Sequence, residues 1–407
     1  MRFLSTIVVA VCACSAGAQE CGTGRYSTVD FFPAIDSVLA VPYGSNTPVS
    51  GTGTQTLLMD VYMPAGDTLQ ARPVVLCAFG GSFLGGARAD VAPLCRWFAR
   101  MGYVAVAPDY RVGFFFPNTS TTAKAVVRSM HDIKGCVRFL RKSVVELANP
   151  YGIDPDRIII GGVSAGAIGA LHATYMDHSS EILPVLYPDT AAIGGIEGNS
   201  GSPGYSSAVL ACYSFSGALG DTSWIAAGDP HLCSVHETGD PTVPYGTQEV
   251  AVIGIPVGLY ASGSSDIHKR LDHLGIINCF LSYDVAQHVG YLTYDLAGSM
   301  DFVTQFCAHE VCGQPTSCGT VYAGVHEQNT SERLGLYPNP ASDHVRVEGV
   351  WSMKAEMLLI DATGRSVMDR SYAVGKDIDV SAIPNGAYHL LMLDHDRTLR
   401  ASLIVAH

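Results

Sequence analysis

The sequence predicts an α/β chain: a mostly parallel central sheet flanked by helices over residues 19–318, then a small all-β sandwich over residues 335–407. Three observations predict it. Residues 73–79 (PVVLCAF) and 103–107 (YVAVA) are unbroken apolar runs, as in strands covered on both faces. Such runs alternate with helical periodicity at residues 89–101, 122–148 and 165–176, the βαβ rhythm of a parallel sheet. After Cys318 the helical periods stop, and short β-prone runs separated by turn signals take over.

In chain order the expected strands of the first part are Leu57 to Tyr62, Pro73 to Phe79, Tyr103 to Ala107, Arg157 to Ile160, Val209 to Phe215, Leu232 to Val235 and Cys279 to Tyr283. Asn149-Pro150 ends the long second helix, because the residue before a proline is driven out of the helical region. Residues 179–207 are rich in Gly, Ser and Pro and read either as a lid-like excursion or as a plain surface loop. Residues 319–334 are polar and unpatterned, as linkers are. Beyond them, strands are expected at 344–348, 355–360, 387–393 and 400–405, between turns such as Asp361 to Gly364 and Pro384 to Gly386.

Composition bounds the function. Of 407 residues, 48% are hydrophobic and 15% charged, which suits a large core and excludes a disordered chain. The formal net charge of −13 carries no basic run, so no nucleic-acid partner is expected. Residues 1–18 read as an export signal: Arg2, an apolar stretch from Phe3 to Ala13, and Ala16-Gly17-Ala18 as the cleavage site. No later stretch has the length of a transmembrane helix. Ten cysteines follow the signal, and in an exported chain disulfides are the default expectation. Cys307, Cys312 and Cys318 cluster where a bridge would pin the end of the first domain. Their spacing does not suit zinc, and neither a metal nor a cofactor is expected.

The sharpest motif is Gly162-Val163-Ser164-Ala165-Gly166, a G-x-S-x-G elbow between a strand and a helix. A serine there is held in a strained turn that lifts Oγ above the sheet edge, and the glycines avoid clashes on either side. Attack on an acyl carbonyl also needs N–H donors for the oxyanion. Gly80, Gly81 and Ser82 follow the buried strand 73–79 and offer them, with the N–H of Ala165 beside the nucleophile. The acid is expected at Asp240, just past strand 232–235; Asp221 and Asp229 lie before it. The base is expected at His288, after strand 279–283. His273 lies before that strand, His309 and His326 lie too late, and His131 lies inside a helix before the serine. His236 reads as a strand-end residue supporting the acid loop. The order Ser164, Asp240, His288 is the one this architecture requires.

Over residues 55–305 the chain resembles the carboxylesterase and feruloyl-esterase-like branch of the α/β-hydrolase superfamily. The resemblance rests on Met59 to Pro64, Pro108-Asp109-Tyr110-Arg111, Asp154 to Ile158 and the acid loop His236 to Tyr245. It implies the α/β-hydrolase fold, Ser164, Asp240 and His288 as triad, and oxyanion N–H groups from Gly81, Ser82 and Ala165. Phe79 stands where the family usually has the histidine of H-G-G-G, Ser82 replaces the third glycine, and His236-Glu237 replaces His-Gly. Residues 335–407, with Tyr337-Pro338-Asn339-Pro340-Ala341-Ser342-Asp343, resemble the C-terminal sorting domain of the type IX secretion system. That implies a Gram-negative host and export to the cell surface or beyond. The expected activity is therefore hydrolysis of carboxylic esters through an acyl-enzyme, with acyl decorations of polysaccharides among the substrates. The alternatives are a serine peptidase of the same fold and a catalytically inactive adhesion protein.

Overall fold

A computed structural model describes residues 20–114, 116–182, 190–314, 316, 319–323, 335–348, 355–361, 366–372, 376–394 and 397–407. The expected signal at 1–18 lies outside them. The chain divides into two compact units, Met1–Val325 and His326–His407.

In the first unit the elements run β1 (Ile35–Asn46), β2 (Gln55–Pro64), β3 (Arg72–Ala78), α1 (Ala92–Arg100), β4 (Val104–Pro108), α2 (Thr119–Glu146), β5 (Ile153–Val163), α3 (Ala165–Tyr175), β6 (Ala211–Phe215), β7 (Ala218–Leu219) and β8 (His231–Glu237). They continue with β9 (Thr247–Val252), β10 (Ile255–Gly263), α4 (Ser264–Leu274), β11 (Asn278–Tyr283), α5 (Tyr291–Tyr294), α6 (Leu296–Cys312) and β12 (Gly319–Ala323). Nine strands form one sheet in the order β1-β2-β4-β3-β5-β6-β8-β11-β12. From β4 to β12 every pairing is parallel, while β1 and β2 run antiparallel at one edge. The sheet is of the α/β-hydrolase type. Strands β3 and β4 are buried along their whole length, as their unbroken apolar runs predicted, and so is β6.

Local signals set the helix ends. Asn118 caps α2 by accepting the Thr121 N–H at 3.0 Å, while Thr121 Oγ1 accepts the Asn118 N–H at 3.1 Å. Gly275 ends α4 and Gly313 ends α6 in the left-handed conformation, with φ of 67° and 62°. Five strands of this unit, β1, β7, β9, β10 and β12, escaped the sequence. β1 is exposed along most of its length and carries two register breaks, so its apolar pattern is weak. The β9–β10 hairpin is likewise half exposed. β12 corrects the linker boundary: residues 319–323 pair in parallel with β11 and extend the sheet edge. The rest of the expected linker, 324–334, lies outside the described residues.

The cysteines bear out a disulfide at the end of the first domain and correct which of them take part. Cys312 is bridged to Cys21, tying the start of the described chain to the last helix, and Cys279 is also disulfide-bonded. Cys307 is instead a buried thiol, as are Cys77, Cys95, Cys136, Cys212 and Cys233. These six pack as small apolar side chains in the core, and burial pushes the Cys307 thiol pKa up. Residue 318 is outside the described set.

Residues 190–207 are tied down. Arg111 donates two bonds to the fully buried Asp132, at 2.9 Å each from Nε and Nη2, and Asp132 also accepts from Ser200 Oγ. Arg138 Nη1 bonds the Glu197 carbonyl at 2.7 Å and its carboxylate at 3.0 Å, and His131 Nε2 donates to Gly195 O at 2.9 Å. This part of the excursion is therefore a fastened surface loop on α2; residues 183–189 lie outside the described set.

Burial pushes the imidazoles of His131, His172 and His268 down to about 4. An unfolded histidine titrates near 6.5. Between the two values the unfolded chain binds more protons, so the contribution of these neutral rings is present above about pH 6.5 and is lost as pH falls toward 4. The urea midpoint is expected to fall between pH 7 and pH 5. A midpoint unchanged over that range contradicts neutral burial.

The second unit is an antiparallel sandwich. One sheet holds β13 (Gly335–Tyr337), β14 (His344–Glu348) and β17 (Ile378–Asp379) in that order. The other holds β16 (Ser366–Tyr372), β15 (Ala355–Asp361), β18 (Gly386–Asp394) and β19 (Arg397–Val405). Alternate residues such as Val345, Val347, Leu390 and Met392 form its own core.

Candidate active site

Ser164 sits between β5 and α3 with φ 54° and ψ −118°, a conformation that non-glycine residues rarely adopt. The turn is held by the Ser164 N–H donating to Phe215 O at 2.8 Å. Its glycines are required by close approach: a Cβ at Gly162 would lie 2.4 Å from Ala78 O, and one at Gly166 2.3 Å from the same atom. The elbow is thus pressed against the end of β3, from which the Gly80–Ser82 turn leaves.

The expected partners meet there. His288 Nε2 lies 2.8 Å from Ser164 Oγ, and His288 Nδ1 lies 2.7 Å from Asp240 Oδ2. Parallel strands β8 and β11 end side by side, which brings residues 48 positions apart into contact. Asp240 is fully enclosed, and its Oδ1 accepts the N–H groups of Thr242 and Val243 at 2.8 and 2.9 Å. His236 Nε2 lies 3.2 Å from Asp240 Oδ2, while its Nδ1 is 2.9 Å from Ser264 Oγ. Burial alone would raise the Asp240 pKa; the bonds from His236, His288 and Val243 outweigh it and hold the carboxyl well below the usual range. The rivals are engaged otherwise. Asp221 accepts from Ser223 N–H, Asp229 accepts from Ala226 N–H, and His273 lies in α4.

The turn after β3 brings Gly80 against the serine: a Cβ on Gly80 would lie 3.3 Å from Ser164 Cβ. Gly81 has φ 122°, and a Cβ there would meet Gly85 O at 2.3 Å, so only glycine fits. Ser82, with φ 54°, and Ala165 line a cavity that opens at Ser164. Phe79 stacks on Tyr110 with ring centroids 4.3 Å apart, and Tyr110 Oη donates to Phe79 O at 2.7 Å. The aromatic ring therefore fills a packing position and leaves the following N–H groups free to turn. Arg88, in the same loop, pairs with Asp60 at 3.0 Å and with Asp109. Two motif aspartates thereby fasten the loop to β2 and β4.

Sequence reasoning passed over Glu237. It is fully buried at the end of β8, and its carboxylate accepts the Gly290 N–H at 3.2 Å and the Tyr294 hydroxyl at 3.0 Å. Both donors lie on the segment that carries His288, so the residue that replaces the family's glycine anchors the base loop. Only the replacement itself signalled it. Glu237→Ala is expected to lower kcat/KM on esters about 100-fold through displacement of the imidazole. The far-ultraviolet spectrum should be unchanged, and a kcat/KM within twofold of the parent would show that the anchor is dispensable.

The cavity beside Ser164 has a volume of about 280 Å³. Its walls are mainly apolar, from Val126 and Val127 of α2, Ile168 and Met176 of α3, Trp224 and Leu259. Among the described residues, Asp177, His178 and Glu181 bring three ligand-type atoms within 4.8 Å of one another. Glu181 there already accepts the N–H groups of Asp177 and His178, as an ordinary turn residue does. No helix among the described residues is long and apolar enough to cross a membrane.

Residues 59–200 match BD-FAE, and residues 335–406 match the secretion system C-terminal sorting domain. A chlorogenic acid esterase of Aspergillus niger is 26% identical over 164 residues, covering 38% of this chain and 31% of that protein. The chain thus spans about a third of the length of that curated relative. Among solved structures, Thermogutta terrifontis esterase 2 phosphorylated by paraoxon is 22% identical, covering 66% of this chain and 94% of its own, with a TM-score of 0.47. The propionate-bound form is 22% identical, covering 67% and 97%, with a TM-score of 0.48. The chain is therefore similar to the BD-FAE family over residues 59–200 and to the secretion-system C-terminal sorting domains over residues 335–406.

Proposed function

We propose that this protein is an exported serine esterase that cleaves carboxylic esters with Ser164, His288 and Asp240. The observation that carries the reading is the unbroken contact chain from Ser164 Oγ through His288 to the enclosed Asp240. His288 Nε2 takes the proton of Ser164 as Oγ attacks the ester carbonyl, and Asp240 holds the ring in the tautomer that leaves Nε2 bare. The N–H groups of Gly81, Ser82 and Ala165 are the proposed donors to the tetrahedral oxyanion, with Gly80 setting the turn. His288 returns the proton to the leaving alcohol and then activates the water that releases the acyl group.

The apolar cavity at Ser164 favours a substrate with an apolar group next to the ester. Acyl decorations of polysaccharides fit both that cavity and an exported enzyme. The sorting domain supports delivery by the type IX machinery to the surface of a Gram-negative cell or beyond. Turnover of p-nitrophenyl esters from acetate to decanoate and of methyl ferulate, beside fluorophosphonate labelling, tests the reading. A folded protein that turns over none of them and takes no label would be a binding protein instead.

A further inference from the structure

Ser164, Ile168, His172 and Met176 succeed one another at every fourth position of α3 and its ends, and all four line the same cavity. Ile168 and Met176 are apolar, as the cavity wall requires. His172 is not, although it is only 6% exposed. Its Nδ1 lies 2.8 Å from Ile168 O, which cannot donate, so Nδ1 carries the proton. Burial holds the ring neutral, with a pKa near 4. Nε2 is then a bare acceptor on the opposite side of the ring, and it has no hydrogen-bond partner among the described residues. It faces Gly220, another cavity residue: a Cβ there would lie 3.4 Å from Nε2. Trp224 closes one side edge-on, its ring 5.6 Å from the imidazole. Set among mainly apolar walls, this acceptor is a point at which the cavity can select a ligand that brings a donor.

We propose that His172 is a specificity residue whose Nε2 accepts a hydrogen bond from a hydroxyl at the far end of the substrate's acyl group. The proposal rests on the ester-hydrolase reading and adds the chemistry that the cavity selects. Eight residues of helix separate Ser164 from His172, about 12 Å along the axis. That separation sets the hydroxyl several bonds from the ester carbonyl, at the far end of the acyl group. The described walls carry no Lys or Arg, and Asp221 and Glu181 on them are acceptors too, so a tail ending in a carboxylate is disfavoured.

The test uses paired esters that differ by one hydroxyl: methyl p-coumarate against methyl cinnamate, and methyl 4-hydroxybenzoate against methyl benzoate. The parent protein is expected to prefer at least one hydroxylated member about tenfold or more in kcat/KM. His172→Phe should bring that ratio to about one, and His172→Gln, which keeps an acceptor, should retain part of it. The within-variant ratio does not move for a residue that only supports the fold. A parent ratio near one for both pairs, or a ratio unchanged in His172→Phe, overturns the proposal, and the parent measurement decides even if His172→Phe fails to fold. Preference instead for 4-hydroxyphenethyl acetate over phenethyl acetate, with none in the acyl pairs, overturns the assignment to the acyl side. p-Nitrophenyl acetate separates the two failures. Turnover of it alongside flat ratios removes only the role of His172, whereas no turnover of any ester removes the catalytic reading and this proposal together.

Discussion

Ser164→Ala should lower kcat for p-nitrophenyl acetate about a million-fold, to the residue left by oxyanion donors and binding. The serine is an N-cap-like residue at the start of α3, but its hydroxyl makes no capping bond; its contact is His288 Nε2 at 2.8 Å. Removing Oγ therefore removes the proposed nucleophile and no structural bond of the elbow. Alanine at φ 54° carries the same backbone strain as serine, so the thermal midpoint should move little. Fluorophosphonate labelling of the parent and none of the variant is the direct readout. A variant that still takes label or keeps the parent rate would place the nucleophile elsewhere.

Asp240→Asn is expected to lower kcat about 10⁴-fold with the fold retained. The reason lies in the two oxygens. Oδ1 accepts two backbone N–H groups, from Thr242 and Val243, so the amide of asparagine must place its own oxygen there. Its NH₂ then occupies the site of Oδ2, which faces His288 Nδ1 at 2.7 Å and His236 Nε2 at 3.2 Å. A donor at that point forces Nδ1 to accept and puts the proton on Nε2, where it cannot take the proton of Ser164. The loss should be in kcat more than in KM, because substrate does not touch Asp240. A drop of less than tenfold would show that another carboxylate orients the imidazole.

The two oriented residues also mark how far local sequence carries. Ser164 was legible because the elbow is a local device: two glycines, a preceding apolar strand and a following helix all lie within a dozen residues. The strands β3 and β4 were legible because burial on both faces leaves an unbroken apolar run. Asp240 and His288 were placed by their position after strands, a rule of this architecture rather than a property of their neighbours. Elements that pack weakly left little trace. β1 and the β9–β10 hairpin are half exposed, so hydrophobic patterning, which reports burial, is faint in them.

By itself the sequence determined the alternation that makes a parallel sheet, the elbow serine, the order of the three polar residues and the change to a β-sandwich toward the C-terminus, though not where the first sheet ends. Tertiary structure alone decided which long-range contacts form. It bridged Cys21 to Cys312 across 291 residues and left Cys307 a thiol, because sulfur pairing depends on which chain ends the fold brings within reach. It gave Glu237 its two donors on the base loop, and it turned His172, one polar residue on an apolar helix face, toward the cavity at Ser164. Each outcome depends on elements far apart in the chain lying side by side, as β8 and β11 do at the Glu237 contacts, a relation that no window along the chain contains.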